Sequence, residues 1–272
     1  MEVLAGAKSL EAAQIYVIAA AIALARMTGM IMIMPVFQRL ALTGILKGTV
    51  ALVFAMPVIP FIVGAITAEP LTAGRLMAIM LKEVAVGITI GFVLGIPIWA
   101  AEVAGDILDL QRGSSFATLV DPSTGGESTV LSTLLAITIV ALFLAIGGLT
   151  LTLKTVYGSY ALWPMNQFLP LYSADAGMLF LGLLDEVMRM GLMLVAPLVM
   201  ALLLADFALA LVARAAQHLH VFDLSLSVKN LALTILFVLY GSFLFSYMKD
   251  DLRWMAGVNA RLEAISAQGA KK

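Results

Sequence analysis

The sequence predicts an all-α, multi-helix, membrane-associated protein, and three observations predict it. Of its 272 residues 62% are hydrophobic and 12% charged, with a formal net charge of −1 and a mean hydropathy of +1.05. About six apolar runs are each long enough to cross a bilayer, at residues 11–34, 41–66, 76–100, 129–153, 187–213 and 230–247; a spanning helix needs about 20 such residues. Proline and glycine cut several of these runs, at Pro35, Pro57, Pro60, Pro97, Pro197 and Gly147-Gly148. An ordinary globular domain is roughly 45–50% apolar and about 25% charged, so a soluble monomer of this composition could not cover its apolar surface. That excludes a soluble enzyme domain, and the absence of a basic excess excludes a nucleic-acid binder. With no cysteine, disulfides, thiolate metal sites and Cys nucleophiles are excluded as well.

The opening stretch lacks a basic start and a small-residue cleavage site, so the first run reads as a span and not as a cleaved signal. The breaks in later runs free backbone groups that lipid cannot satisfy, so those positions should face other helices or water. Residues 1–248 read as one helical domain, and 249–272, ending Lys271-Lys272, as a short amphipathic helix and a polar tail. Counting Lys and Arg beside alternating connections puts ten on one side and five on the other, but five of the ten lie in the tail. The charge rule for membrane orientation therefore fixes no topology.

Charges sit inside the apolar runs. Arg26 is in the middle of the first, Asp206 deep in the fifth, and Lys82 and Glu83 open the third, with Glu102, Asp106 and Asp109 at its far end. A charge at the bilayer centre costs about 2.5–3.5 kcal/mol on insertion scales. Such a set either lines a proton or ion path or pairs across helices within a protein assembly; Arg26, Lys82, Glu83, Asp106 and Asp206 are the candidate buried charges. Lys82 and Glu83 point in different directions on a helix and need not pair with each other. In the same run Glu83, Gly87, Gly91 and Gly95 recur every four positions. Residues four apart share a helix face, so the glycines form a groove that another backbone can approach closely.

From Gly105 to Ser128 the composition turns mixed, with Asp121-Pro122 starting a turn; a long connection is expected, its apolar Phe116–Val120 stretch tucked against protein. His218 and His220, the sole histidines, diverge on a helix, and with no third ligand no metal site is expected; a helix end and an extended re-entry fit Arg214 to Lys229 better. No cofactor or catalytic residue is expected either, for there is no His-Glu-x-x-His, no Gly-x-Ser-x-Gly and no phosphate-cradling Gly-Lys-Ser/Thr.

Several of these features occur together in a known family. Arg26 and Gly29 before Pro35-Val36-Phe37, Lys82-Glu83 with the glycine ladder, Gly105-Asp106 through Gln111-Arg112-Gly113, and Phe116 to Pro122 resemble the export-apparatus family of type III secretion, the FliR/SctT group that includes SpaR, YscT and HrcT. The fifth connection departs from the family signature, with Ala216, His220 and Ser227 where proline, asparagine and proline are common. Gln111-Arg112-Gly113 and Trp163-Pro164 lean towards the virulence injectisome branch over the flagellar one.

The resemblance implies a core subunit of the export gate. Broken, slanted helix hairpins would pack in a hetero-oligomeric helical assembly with SctR/FliP-like and SctS/FliQ-like subunits. A SctU/FlhB-like switch protein and inner-rod or needle components would adjoin it. It further implies the bacterial inner membrane, within the secretion base and reaching its periplasmic side. Secreted, unfolded proteins would be the substrates, driven by the proton gradient and a separate ATPase. By the same resemblance Arg112, Gly113, Ser114, Ser115, Phe116, Ala117, Thr118, Leu119, Val120, Asp121 and Pro122 form the loop that plugs the closed channel. The competing reading is a secondary transporter using Arg26, Glu83 and Asp206 as a coupling-ion path; such carriers commonly show two related halves, and no duplication is visible here.

Overall fold

Proline decides where the first helix ends. A residue before proline is pushed out of the helical region by the proline ring, and Met34 is extended at φ −67°, ψ 120° between α1 (Glu2–Ile33) and α2 (Pro35–Arg39). The structure, a computed structural model, describes residues 2–40, 42–67, 72–113, 129–165, 167, 172–215 and 221–266. The second run is split by Pro57 and Pro60 into α3 (Gly44–Ala55), a 3-10 turn (Met56–Val58) and α4 (Ile59–Thr67). Next come α5 (Ala73–Gln111), α6 (Val130–Ala145), α7 (Gly148–Leu162), α8 (Ala176–Ala215) and α9 (Val221–Trp254). A 3-10 turn (Met255–Gly257) leads into α10 (Val258–Ile265). Among the described residues the sole β element is an isolated bridge, Tyr172 with Ser266.

The fourth run is not a straight span. Gly147 takes φ +80°, a left-handed conformation that glycine alone adopts freely, and the helix breaks there between α6 and α7. Pro97 and Pro197, by contrast, lie inside α5 and α8 without ending them. Among the described residues five helices are long and apolar enough to cross a membrane, or six when the broken pair counts as one span. Two sequence expectations change. The connection expected from Gly105 begins only after Gln111, because α5 continues to that residue, and the extended re-entry expected up to Lys229 is helix from Val221 on. Residues 248 and 249 lie within α9.

The chain divides into two compact units, Met1–Gly95 with Ile146–Leu183 and Ala256–Lys272, and Ile96–Ala145 with Leu184–Met255. In the first, α1 packs on α3 and α4, and α7 on α10, around fully buried Ile22, Met27, Met30, Met34, Ile62 and Trp163. Ser173 N–H donates to the Ile265 carbonyl at 2.8 Å, fixing the end of α10. In the second unit Ala104, Leu108, Leu135, Ile139 and Phe143 form the core. There α8 and α9 lie side by side and antiparallel, since Asp206 meets Lys229 at one end and Glu186 shares a groove with Asp250 at the other.

Candidate functional site

The first unit holds a buried charged cluster built on the crossing of α1 and α5. Gly87 leaves so little room that an added Cβ would fall on the Arg26 carbonyl; at Gly91 it would lie 2.6 Å from the Met30 carbonyl. Gly29 of α1 makes the reciprocal notch, 2.5 Å from the Val84 carbonyl. The expected close approach on the glycine ladder is thus made by α1 of the same chain, and Gly95 is buried further along the same helix. Glu83 stands one turn before Gly87 on the same face, so the contact brings the Arg26 guanidinium onto its carboxylate, Nε to Oε2 at 2.6 Å. Both side chains are fully buried.

The rest of the cluster fastens the end of α7. Arg26 Nη1 donates to Ser159 Oγ at 2.8 Å and Nη2 to the Trp163 carbonyl at 3.0 Å. The guanidinium carbon lies 3.6 Å above the Tyr160 ring centroid, a cation–π contact. Lys82 Nζ donates to the Pro164 carbonyl at 2.9 Å and the Met165 carbonyl at 3.4 Å, and lies 2.7 Å from Glu83 Oε1. Adjacent helix positions diverge, yet the long lysine side chain folds back to its neighbour. Carbonyls at a helix C-terminus have no partner within the helix, and the partial negative charge there favours cations. Two cations and one carboxylate leave one surplus positive charge, and three successive carbonyls after Leu162 receive it. Alongside, the Trp163 and Tyr172 rings meet edge to face at 6.2 Å, and Tyr172 Oη is 2.9 Å from Thr89 Oγ1. Burial raises the Tyr172 hydroxyl pKa, which keeps that group protonated.

A second cluster closes the base of the connection between α5 and α6, in the second unit. Asp109 is fully buried. Its Oδ1 accepts from Arg112 Nε at 2.5 Å, before the connection, and its Oδ2 from Leu131 N–H at 2.9 Å, after it. Thr129 Oγ1 donates to Asp106 at 2.9 Å, and Ser132 Oγ to the Glu102 carbonyl at 2.9 Å. Gly105 allows this return, because any side chain there would strike the Ser132 backbone. Gly113 turns the chain out of α5 at φ +84°. Lys229 Nζ donates to the Gln111 carbonyl at 2.9 Å and lies 3.0 Å from Asp206 Oδ1.

Of the residues expected to form a plug, Arg112 and Gly113 are seen at this base, whereas Ser114 to Pro122 lie outside the described residues, as do Ala216, His218 and His220. Asp106 and Asp206 were expected buried and are half-buried. The fully buried carboxylate at that end is Asp109, whose signal in the sequence was its spacing three before Arg112, a helical pairing distance. Arg26 and Glu83 fall in one unit and Asp206 in the other. Asp109→Ala is expected to lower unfolding stability by about 2–3 kcal/mol, since hydrogen bonds to a charged group contribute about 1.5–3 kcal/mol. Denaturant titration in detergent checks this, and an unchanged midpoint would show that the base is not held by Asp109.

A family model described as "Bacterial export proteins, family 1" matches residues 17–255. The chain is 33% identical to Yop proteins translocation protein T of Yersinia pestis over 218 residues, 80% of this chain and 83% of that protein. It is 28% identical over 227 residues to the surface presentation of antigens protein SpaR of Salmonella typhimurium (strain LT2), covering 83% and 84% of the two chains. The flagellar biosynthetic protein FliR of Caulobacter vibrioides is 29% identical over 209 residues, 77% and 82% of the two.

Proposed function

Because this chain belongs to the bacterial export proteins of family 1, and so acts as a membrane protein of a secretion apparatus together with other export components, we propose that it is a core subunit of the export gate. With SctR/FliP-like and SctS/FliQ-like partners it lines the channel through which unfolded proteins leave, in the inner membrane and open towards the periplasmic side. A SctU/FlhB-like switch protein and the inner rod or needle adjoin it, and the injectisome branch is the better fit of the two. The residues from Arg112 to Pro122 act as the plug of the closed channel. The role is structural and non-catalytic.

The observation that carries this reading is the closure of the charged cluster. Arg26, Lys82 and Glu83 are held at 2.6–3.4 Å by one another and by Ser159 and three backbone carbonyls. A coupling-ion path needs a titratable group that exchanges partners with water, and these groups are held in fixed pairs, as charges inside membrane helices are when they support packing.

The test is purification followed by a bilayer recording. The tagged chain, expressed with its apparatus, should elute as one large hetero-oligomer; a carrier would work alone in liposomes. Deleting Phe116–Val120 should make the closed complex conduct small ions. An intact complex whose conductance equals the unaltered control would remove the plug assignment.

A further inference from the structure

In the second unit α8 and α9 leave a groove of about 250 Å³ open where their charged residues gather. Its apolar wall is Met190, Met193, Leu194 and Tyr247, with Met193 59% and Tyr247 50% exposed. Methionine adapts its shape to whatever packs on it, and tyrosine presents an apolar ring with a polar tip. The rim is acidic: Glu186, Asp250 and Asp251 stand against one guanidinium, Arg189. Arg189 is already turned to Glu186, Nε to Oε2 at 2.9 Å, and the nearby Arg253 to Asp250 at 2.9 Å. Asp251 makes no ion pair or hydrogen bond among the described residues.

The charges of α8 at this groove, Asp185, Glu186 and Arg189, stand between the apolar stretches 176–184 and 190–205, while the apolar stretch of α9 stops at Met248, before Lys249. An occupant that fits is apolar against Met190, Met193, Leu194 and Tyr247 and cationic where it meets the charged residues. With Glu186 paired to Arg189 and Asp250 to Arg253, the carboxylate left over is Asp251, and that excess negative charge disfavours an anionic lipid headgroup and attracts a basic side chain.

We propose that this groove docks the end of an apolar helix from another subunit of the apparatus, one carrying a lysine or arginine within a turn of its apolar run, with that cation opposite Asp251. The proposal rests on the assembly reading above and names the chemistry of one contact in it. Long basic side chains at helix ends reach past apolar surface in just this way.

The experiment places a photo-crosslinking amino acid at position Met193 of the full chain, expressed with the whole apparatus, and identifies the adduct by peptide mass. The expected adduct is one apolar helix flanked by lysine or arginine. Asp251→Lys should lower its yield by about tenfold and Asp251→Asn by less, both with unchanged melting temperatures. Replacing the partner's basic residue by glutamate should restore the yield in Asp251→Lys. Adducts with lipid only, with a second copy of this chain, or with a yield indifferent to Asp251→Lys would overturn the proposal. If the complex co-purifies and no such adduct forms, the groove assignment alone fails; if the chain enters no complex, the gate reading fails and takes the groove with it.

Discussion

Arg26→Ala is expected to lower the stability of the chain in detergent by about 3–5 kcal/mol, the cost of stripping one partner from a buried ion pair. Three acceptors lose their donor at once: Glu83 Oε2, Ser159 Oγ and the Trp163 carbonyl. Arg26→Lys should recover only part of the loss, because one ammonium cannot span three acceptors that the planar guanidinium reaches together. Charge count orders the neighbouring variants. Glu83→Gln leaves two cations, Arg26 and Lys82, facing each other without an anion and should be the most damaging. Lys82→Met removes the surplus cation and keeps the 2.6 Å pair, sacrificing the bonds to Pro164 and Met165, so it should be the mildest. Melting temperatures of the four variants check the order, and a Lys82→Met as damaging as Glu83→Gln would refute it.

The cluster shows which parts of this site could be read in advance. Arg26, Lys82 and Glu83 stood out in the sequence because a charge in an apolar run has to be compensated. Their partners did not stand out. Ser159 lies 133 residues from Arg26 and the Trp163 carbonyl 137, and a backbone carbonyl carries no sequence signature at all. Helix breaks divide in the same way. Pro35 ended a helix, whereas Pro97 sits inside α5; proline removes one hydrogen bond in either place, and packing decides whether the helix continues. The polar residues from Gly105 to Gln111 suggested a loop, yet they are a helix end whose carboxylates reach across to Thr129 and Leu131. A polar stretch between spans therefore looks alike whether it meets water or another polar stretch of the same chain.

The glycine ladder leads to the second large effect. Gly87→Ala is expected to destabilise the chain by about 1–3 kcal/mol, the range for overfilling a packed contact, and Gly87→Leu by more. The reason is geometric: the added Cβ lands on the Arg26 carbonyl, a backbone atom that cannot rotate aside, so α1 itself must retreat. Gly91→Ala, at 2.6 Å from the Met30 carbonyl, and Gly29→Ala, at 2.5 Å from the Val84 carbonyl, should act in the same direction. Gly48 and Gly158 provide the contrast. Both lie within helices with nothing within 4 Å of the place an alanine methyl would occupy, and alanine there should stabilise by about 0.5–1 kcal/mol through helix propensity alone. The retreat of α1 also withdraws the guanidinium from Glu83, because the backbone contact and the ion pair share one residue, Arg26. The double variant Gly87→Ala with Arg26→Ala should therefore cost less than the two single effects added together, as coupled neighbours do. Additivity within about 0.5 kcal/mol would show that the glycine notch and the buried charges are independent features of the α1–α5 crossing.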